Sequence, residues 1–113
     1  MRILTLIIKE VHFAAIMAGT KKVETREIRP ASFNKYYEYG PGDTLLGLRP
    51  YDAIQFYAGY RTDRKGSLVE VVSSEMIILT DEDTGEYITY KHNGEDYCET
   101  LAEYKLGKII SHK

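Results

Sequence analysis

The sequence predicts a small, mainly β protein of the α+β class, in which one or two short helices accompany the strands. Several apolar or alternating runs of strand length follow one another, and residues typical of turns separate them. Only residues 10–18 repeat their apolar positions at helical spacing. A chain of 113 residues fits one hydrophobic core. We therefore expect a single domain over residues 1–113, built as a small β-barrel with the helices packed on it.

Three elements and one stop signal organise the first thirty residues. Ile3–Lys9 is a nearly continuous apolar run rich in β-branched residues, which predicts a central strand buried on both faces. Residues 10–18 form the predicted helix. Gly19 ends this helix because glycine adopts the left-handed conformation without a steric penalty. An alternating strand then runs from Lys22 to Arg29-Pro30, where proline cannot donate to a sheet.

The rest of the chain predicts further strands joined by turns. Residues 31–40 hold four aromatic side chains and form either a short helix or an ordered loop. Asn93-Gly94 is a strong hairpin signal. Residues 99–105 are predicted to form a helix of about two turns. The predicted strands are Asp52–Tyr60, Ser67–Leu79, the two hairpin strands 87–92 and 95–99, and Leu106–Ser111.

The composition is typical of a folded globular protein, because 43% of the residues are hydrophobic and 28% are charged. Cys98 is the single cysteine, so we expect no internal disulfide. The sequence contains neither a recognisable signal peptide nor an apolar run of 18 residues, which predicts a cytoplasmic location and no membrane partner. His12 has no second ligand at metal-binding spacing, and we expect no metal and no cofactor.

The charge distribution argues against a protein that coats nucleic acid by bulk electrostatics, since the net charge is −2. Residues 1–65 carry 11 Lys and Arg against 7 Asp and Glu, whereas residues 66–113 carry 4 against 10. A pocket wall from the first half would therefore be locally basic. This pattern suits a small or short polyanionic ligand better than a long duplex, although the acidic half can also serve solubility alone.

The strongest functional signal is the join between the predicted helix and the alternating strand. Glu24 and Arg26 fall on one face of that strand, together with Lys22, and Lys21 projects from the turn at its entrance. One carboxylate and several cations are thus concentrated at an element boundary. The same alternation is also typical of a solvated strand face, on which an exposed ion pair contributes about 0 to 1 kcal/mol.

At these residues the chain resembles a known family. Gly19-x-Lys21-x-x-Glu24-x-Arg26, with the helix before it, is similar to the signature of the ASCH domain, a relative of the PUA-like RNA-binding barrels. The similarity continues through the strand at 52–60, the Val-rich strand after it and the closing segment at 106–110. It implies a PUA-like barrel with a cleft beside the helix-to-strand join, lined by the motif's lysine, acidic residue and arginine.

The first functional hypothesis is a module that binds RNA or a nucleotide-like small molecule. Lys21 and Arg26 would contact phosphate or a base edge, and Glu24 would accept a hydrogen bond from an exocyclic amine. Gly19 shapes the turn beside the cleft. Tyrosine faces on which unpaired bases stack come either from Tyr36, Tyr37 and Tyr39, which can alternatively fill the end of the barrel, or from Tyr57 and Tyr60.

The second hypothesis is a small amidohydrolase that acts on a modified nucleoside. A branch of the ASCH-like proteins hydrolyses the amide of N4-acetylcytidine, and the resemblance implies a catalytic lysine, a threonine three positions later and a distant glutamate. Lys21 matches the lysine, but Glu24 stands at the threonine position. The catalytic residues would then be Lys21 and Glu24, and Glu70 and Glu75 are candidate further carboxylates.

The third hypothesis is a protein-interaction domain in which the motif has only a structural role. Cys98 lacks a recognisable basic neighbourhood that would make it a nucleophile. The sequence leaves the ligand, the oligomeric state and the position of residues 36–39 relative to the cleft open.

Overall fold

The computed structural model describes residues 1–112 and confirms a mainly β protein with short helices. None of the helices in this described part is long and apolar enough to cross a membrane. Single 3₁₀ turns lie at Pro30–Ser32 and Pro41–Asp43. In chain order the elements are β1 (Ile3–Ile8), α1 (Glu10–Met17), β2 (Val23–Ile28), α2 (Phe33–Tyr36), β3 (Tyr37–Tyr39), β4 (Leu45–Leu48), β5 (Ala53–Ala58), β6 (Gly66–Ile78), β7 (Thr89–His92), β8 (Glu95–Cys98) and β9 (Thr100–His112).

The strands form one five-stranded sheet and two ribbons. The large sheet has the order β1-β5-β6-β9-β2, and the ribbons are β3-β4 and β7-β8. Strand β1 is parallel to β5, and β5 is antiparallel to β6. Because β1 and β2 end the order without pairing with each other, no closed barrel is found among residues 1–112. Closure requires that pairing, so the structure supports the mainly β class and the barrel stays a prediction.

The described residues divide into two compact units. The first unit comprises Met1–Glu24, Pro50–Ser74 and the described residues from Tyr104 on. The second unit comprises Thr25–Arg49 and Glu75–Glu103. The first unit carries nine Lys and Arg against five Asp and Glu up to residue 112, and the second carries five against twelve. Their net charges are therefore +4 and −7, the same separation that residues 1–65 and 66–112 give.

The core of the first unit is built on the parallel pair of β1 and β5. The register opposes Leu4 to Ile54 and Leu6 to Phe56, so these four side chains share one face of the sheet. All four are at least 98% buried. Helix α1 contacts β5 and buries two side chains of its own, Phe13 and Ile16. This face of the sheet therefore fixes the position of α1 and of the turn that follows it.

The second unit is organised by aromatic contacts around α2 and the β7-β8 ribbon. Phe33 lies 5.2 Å from Tyr37 and 5.8 Å from Tyr97, measured between ring centroids. The Asn93-Gly94 hairpin is confirmed, since it joins β7 to β8 with positive φ angles of 50° and 82°. Two adjacent residues with positive φ match the right-handed twist of the flanking strands.

Two predictions about individual elements are wrong: the central position of β1 in the sheet and the helix at residues 99–105. Strand β1 is an edge strand rather than a central one, and its alternating burial leaves Ile3 and Thr5 exposed. Residues 100–105 belong to β9 and are not helical, because Thr100, Ala102 and Tyr104 are buried at the two-residue spacing of a strand. Both outcomes depend on pairing with strands that are distant in sequence, β5 for β1, and both β6 and β2 for β9.

The buried face of β5 gives a first test of the fold. Replacing Phe56, which is fully buried, by Ala is expected to lower the free energy of unfolding by about 3 to 5 kcal/mol because it leaves a cavity. The matched control is Val72→Ala on β6, whose side chain is largely exposed and whose loss should change stability by less than about 0.5 kcal/mol. Urea denaturation measures both. Equal losses would contradict the assignment of this face to the core.

Candidate nucleotide-binding cleft

The turn between α1 and β2 is held by the last carbonyl groups of the helix. Gly19 has a φ of 78°, and its N–H donates to the carbonyl oxygen of Ile16 at 3.1 Å. The N–H groups of Thr20 and Lys21 both donate to the Ala15 carbonyl oxygen, at 3.0 and 3.1 Å, and the Thr20 hydroxyl donates to it as well. A left-handed glycine with these bonds is a common helix ending. The turn fixes where the backbone of Lys21 emerges.

Lys21 forms an ion pair with Glu24 at the start of β2. The Nζ atom of Lys21 lies 3.2 Å from Oε1 of Glu24. Glu24 is only 5% exposed, and the burial pattern of β2 turns Glu24, Arg26 and Ile28 inward relative to their neighbours. The predicted shared face is therefore confirmed. A charge-assisted bond to a buried carboxylate orients the lysine, whose ammonium group has two further N–H donors.

A cleft of about 280 Å³ lies beside this turn, within the first unit. The turn before β2 and the middle of β9 border it, and the N–H of Leu106 donates to the Lys22 carbonyl oxygen at 2.9 Å. Its lining combines apolar side chains with two lysines as the charged groups. The lining residues are Ile16, Gly19, Lys21, Lys22, Val69, Leu106, Gly107 and Ile109.

Gly107 allows β9 to approach β6 closely at the cleft. A methyl group built on Gly107 would collide with the Glu70 carboxylate and approach a methyl group of Val72 to 2.9 Å. The Glu70 carboxylate also accepts a bond from the Lys108 N–H at 3.4 Å. Strand alternation points Glu70 away from Val69, which lines the cleft. Glu70 therefore supports β9 and does not reach into the cleft, and Glu75 is an exposed residue of the second unit.

Arg26 follows Glu24 on β2 but belongs to the second unit. There, burial and the positive charge of Arg26 lower the pKa of Lys35. Arg26 is half-buried and is not among the residues that line the cleft. The structure thus brings Gly19, Lys21 and Glu24 together, and it places Arg26 further along the same strand.

None of the predicted stacking tyrosines is among the residues that line the cleft. Tyr36 and Tyr37 are buried in the second unit, and burial raises the pKa of Tyr37. Neither ring face is accessible to a base in this arrangement. Tyr57 is half-buried on β5 of the first unit, and β6 and β9 separate β5 from β2 in the sheet. Its ring instead packs against the guanidinium of Arg64, 4.2 Å from the ring centroid.

Sequence reasoning missed a cluster around Arg29 in the second unit. The Arg29 guanidinium lies 4.2 Å from the centroid of Tyr90 and forms ion pairs with Glu99 at 3.0 Å and Glu27 at 3.1 Å. The hydrogen bond with Glu27 raises the pKa of Arg29. Tyr90 also stacks on its cross-strand partner Tyr97 at 5.7 Å. The Asn93-Gly94 signal predicted the pairing of Tyr90 with Tyr97. Nothing in the local sequence predicted that Arg29 lies beside Tyr90.

The titratable side chains offer no metal centre in the part of the chain that the structure describes. No group of three or more His, Cys, Asp or Glu residues comes close enough there to hold an ion. His12 is exposed on α1, and Cys98 is a half-buried free thiol.

A double-mutant cycle tests the strength of the Lys21–Glu24 pair. Lys21→Ala, Glu24→Gln and the double variant are expected to give a coupling energy of about 1 to 3 kcal/mol, because the carboxylate is shielded from water. The control cycle uses Lys91 and Asp96, which are paired at the same 3.2 Å but are largely exposed. That pair should give about 0.2 to 0.5 kcal/mol. Indistinguishable coupling energies from urea unfolding would refute a shielded pair.

Tyr90 gives an independent test in the second unit. Its hydroxyl is buried and has no hydrogen-bond partner among residues 1–112. Tyr90→Phe should therefore leave the free energy of unfolding unchanged or raise it, because no satisfied hydrogen bond is lost. The control Tyr97→Phe removes a 2.9 Å bond to Glu95 and should cost up to about 1 kcal/mol. A clear loss of stability for Tyr90→Phe alone would show that this hydroxyl has a partner in solution.

Comparison with known proteins adds no relative from which a function could be transferred. No family model matches the chain, and neither the curated proteins nor the solved structures contain a significant match.

Proposed function

We propose that this protein is an ASCH-like, PUA-related domain that binds RNA or a nucleotide-like ligand in the cleft beside the α1–β2 turn. The observation that carries the proposal is a lysine on the cleft wall that a buried carboxylate holds in place, with Lys21 Nζ 3.2 Å from Glu24. An oriented ammonium group is a suitable donor for a phosphate or for a carbonyl oxygen of a base.

The size of the cleft favours a small part of a nucleotide chain over a duplex. Its volume of about 280 Å³ lies near the lower end of the range of about 300 to 1,000 Å³ for small-molecule sites. This is room for one base or one sugar-phosphate unit. Leu106 and Ile109, which are both half-buried, offer apolar surface to the face of a ring, while Lys21 and Lys22 supply the charge.

The charge of the first unit supports an anionic ligand although the whole chain is acidic. This unit carries a net charge of +4 over its described residues. Two exposed lysines, Lys105 and Lys108, flank the cleft residues Leu106 and Gly107 in β9. Attraction of a polyanion depends on local potential, so a basic unit can bind one despite a net charge of −2.

Each motif residue has a distinct role in this proposal. Lys21 contacts the ligand, Glu24 orients Lys21, and Gly19 leaves open space where a side chain would stand, since nothing lies within 4 Å of a Cβ built there. Arg26 and the tyrosines are not needed for the first contact. A hydrolase is less well supported, because Glu24 replaces the threonine of that pattern and Glu70 faces away from the cleft.

An NMR titration tests the proposal. Amide signals of residues 19–24 and 106–109 should shift when a mononucleotide or a short single-stranded RNA is added at low salt. Lys21→Ala should weaken binding about 10-fold or more, because one charge-assisted hydrogen bond is lost. The control Lys91→Ala removes an exposed lysine from the acidic second unit and should change affinity less than twofold.

Two outcomes would overturn the proposal. If the cleft amides stay unchanged while RNA is added in excess, or if Lys21→Ala binds as wild type does, the cleft is not the site. Release of acetate from N4-acetylcytidine by wild type, lost in Lys21→Ala, would replace the binding module with the hydrolase. Chemical-shift spectra of both variants show whether each is folded before its affinity is compared.

A further inference from the structure

A second feature of the first unit lies at the end of the β5–β6 hairpin. Residues 59–65, named here the β5–β6 tip, join the two strands. An open slot of about 330 Å³ lies at this tip. Two tyrosines, a threonine and an arginine line it: Tyr57, Tyr60, Thr62 and Arg64. None of these residues lines the cleft at Lys21.

Arg64 is the charged group of the slot, and no acidic side chain neutralises it. Its guanidinium stacks on the Tyr57 ring at 4.2 Å from the centroid, and among residues 1–112 no carboxylate forms a salt bridge with it. The neighbouring Arg61 differs, because its Nε lies 3.3 Å from Asp63. A guanidinium held flat on a ring keeps its N–H edges available for the bidentate recognition of a phosphate.

Tyr60 supplies an aromatic face to the same slot. It is 84% exposed, more than any other large hydrophobic side chain of residues 1–112. The backbone around it is fixed, because the Gly59 N–H donates to the Ile8 carbonyl oxygen at 2.9 Å and the Ala58 N–H to that of Lys65 at 2.9 Å. Gly59 reaches this turn with a φ of 78°. The Tyr60 ring therefore lies outside the core, on a turn whose backbone is held in place, and its faces are accessible to a ligand.

The chemistry of the slot selects a planar ring that carries an anion. Tyr60 offers a stacking face, the Arg64 guanidinium offers a second planar surface and a charge, and Thr62 offers a hydroxyl. Unpaired bases of a single strand meet these requirements, whereas the bases of a duplex are inaccessible to stacking. Stacking on an aromatic side chain is independent of base identity, since every base has a π face.

We infer that the β5–β6 tip is a second, independent binding site for single-stranded nucleic acid, with a base against Tyr60 and Arg64 and a phosphate on the Arg64 edge. The register separates this site from the cleft. Tyr57 opposes Gly66 on one face of the sheet, whereas the cleft residue Val69 opposes Ile54 on the other face. The tip therefore acts whether or not the cleft binds a nucleotide.

A single tryptophan makes the tip directly observable. The chain contains no Trp, so Tyr60→Trp introduces a unique fluorophore at an exposed position. Titration with a ten-nucleotide single-stranded RNA, and with DNA of the same sequence, should quench this fluorescence saturably at low salt. The experiment is repeated with Lys21→Ala added, and the quenching should persist there. If the cleft amides show no NMR shifts while the fluorescence of the Tyr60→Trp variant is still quenched, only the proposal for the cleft is overturned.

Matched variants separate stacking and charge at the tip. In the Lys21→Ala background, Tyr60→Ala should weaken binding of a labelled oligonucleotide at least fivefold, and Arg64→Gln should do the same. The controls are Tyr87→Ala, 63% exposed in the second unit, and Arg61→Gln, whose charge Asp63 already neutralises. Each control should change affinity less than twofold. Anisotropy of the oligonucleotide measures all four variants.

Three results would overturn the inference. Fluorescence that stays constant on saturation with RNA and DNA would exclude a base at Tyr60. Equal losses for Arg61→Gln and Arg64→Gln would reduce the tip to a diffuse basic patch. Competition by polyglutamate of ten residues as effective as that of unlabelled RNA would assign the slot to acidic peptides. Equal affinity for RNA and DNA would support recognition by base and phosphate, and tighter RNA binding would add a contact to the 2′-hydroxyl.

Discussion

The carbonyl oxygen of Ala15 is the atom on which the arrangement of the motif depends. It accepts hydrogen bonds from two backbone N–H groups and one hydroxyl, and these bonds turn the chain from α1 into β2. Gly19 makes the turn possible because a side chain would be strained at its φ of 78°. Lys21 leaves this turn next to Glu24, so the ion pair results from the helix ending and not from the strand alone. The Leu106 N–H then ties the same turn to β9.

The two units carry net charges of opposite sign. The first unit is basic and contains both the cleft and the β5–β6 tip, while the second unit is acidic and already pairs its principal aromatic cluster with Arg29. Cations on the first unit retain unneutralised donors, most clearly at Arg64. Exposed charges more than about 8 Å apart are largely screened at physiological ionic strength, so the charge of each unit acts mainly on groups close to it.

Local patterns predicted the elements that local chemistry determines. The helix end at Gly19, the Asn93-Gly94 hairpin, the inward face of β2 and the long strand β6 all follow from spacing and turn residues. Pairing between distant segments was not predictable in this way. The open edges at β1 and β2 depend on partners chosen elsewhere in the chain, and so does the extended form of residues 100–105. At the cleft, the motif predicted Lys21, but nothing local predicted that β9 forms a wall. The burial of Tyr36 and Tyr37 also depends on tertiary packing.

The sheet order also determines when the cleft can exist during synthesis. Strand β1 needs β5, because Ile3 pairs with Ala53, and β2 needs β9, because Lys22 bonds to Leu106. Contacts of such sequence separation form slowly, and a ribosome adds about 5 to 20 residues per second. The helix ending at Gly19 therefore emerges several seconds before the wall that completes its cleft. The buried side chains of α1 are covered earlier, because β5, on which the helix packs, precedes β9 in the chain.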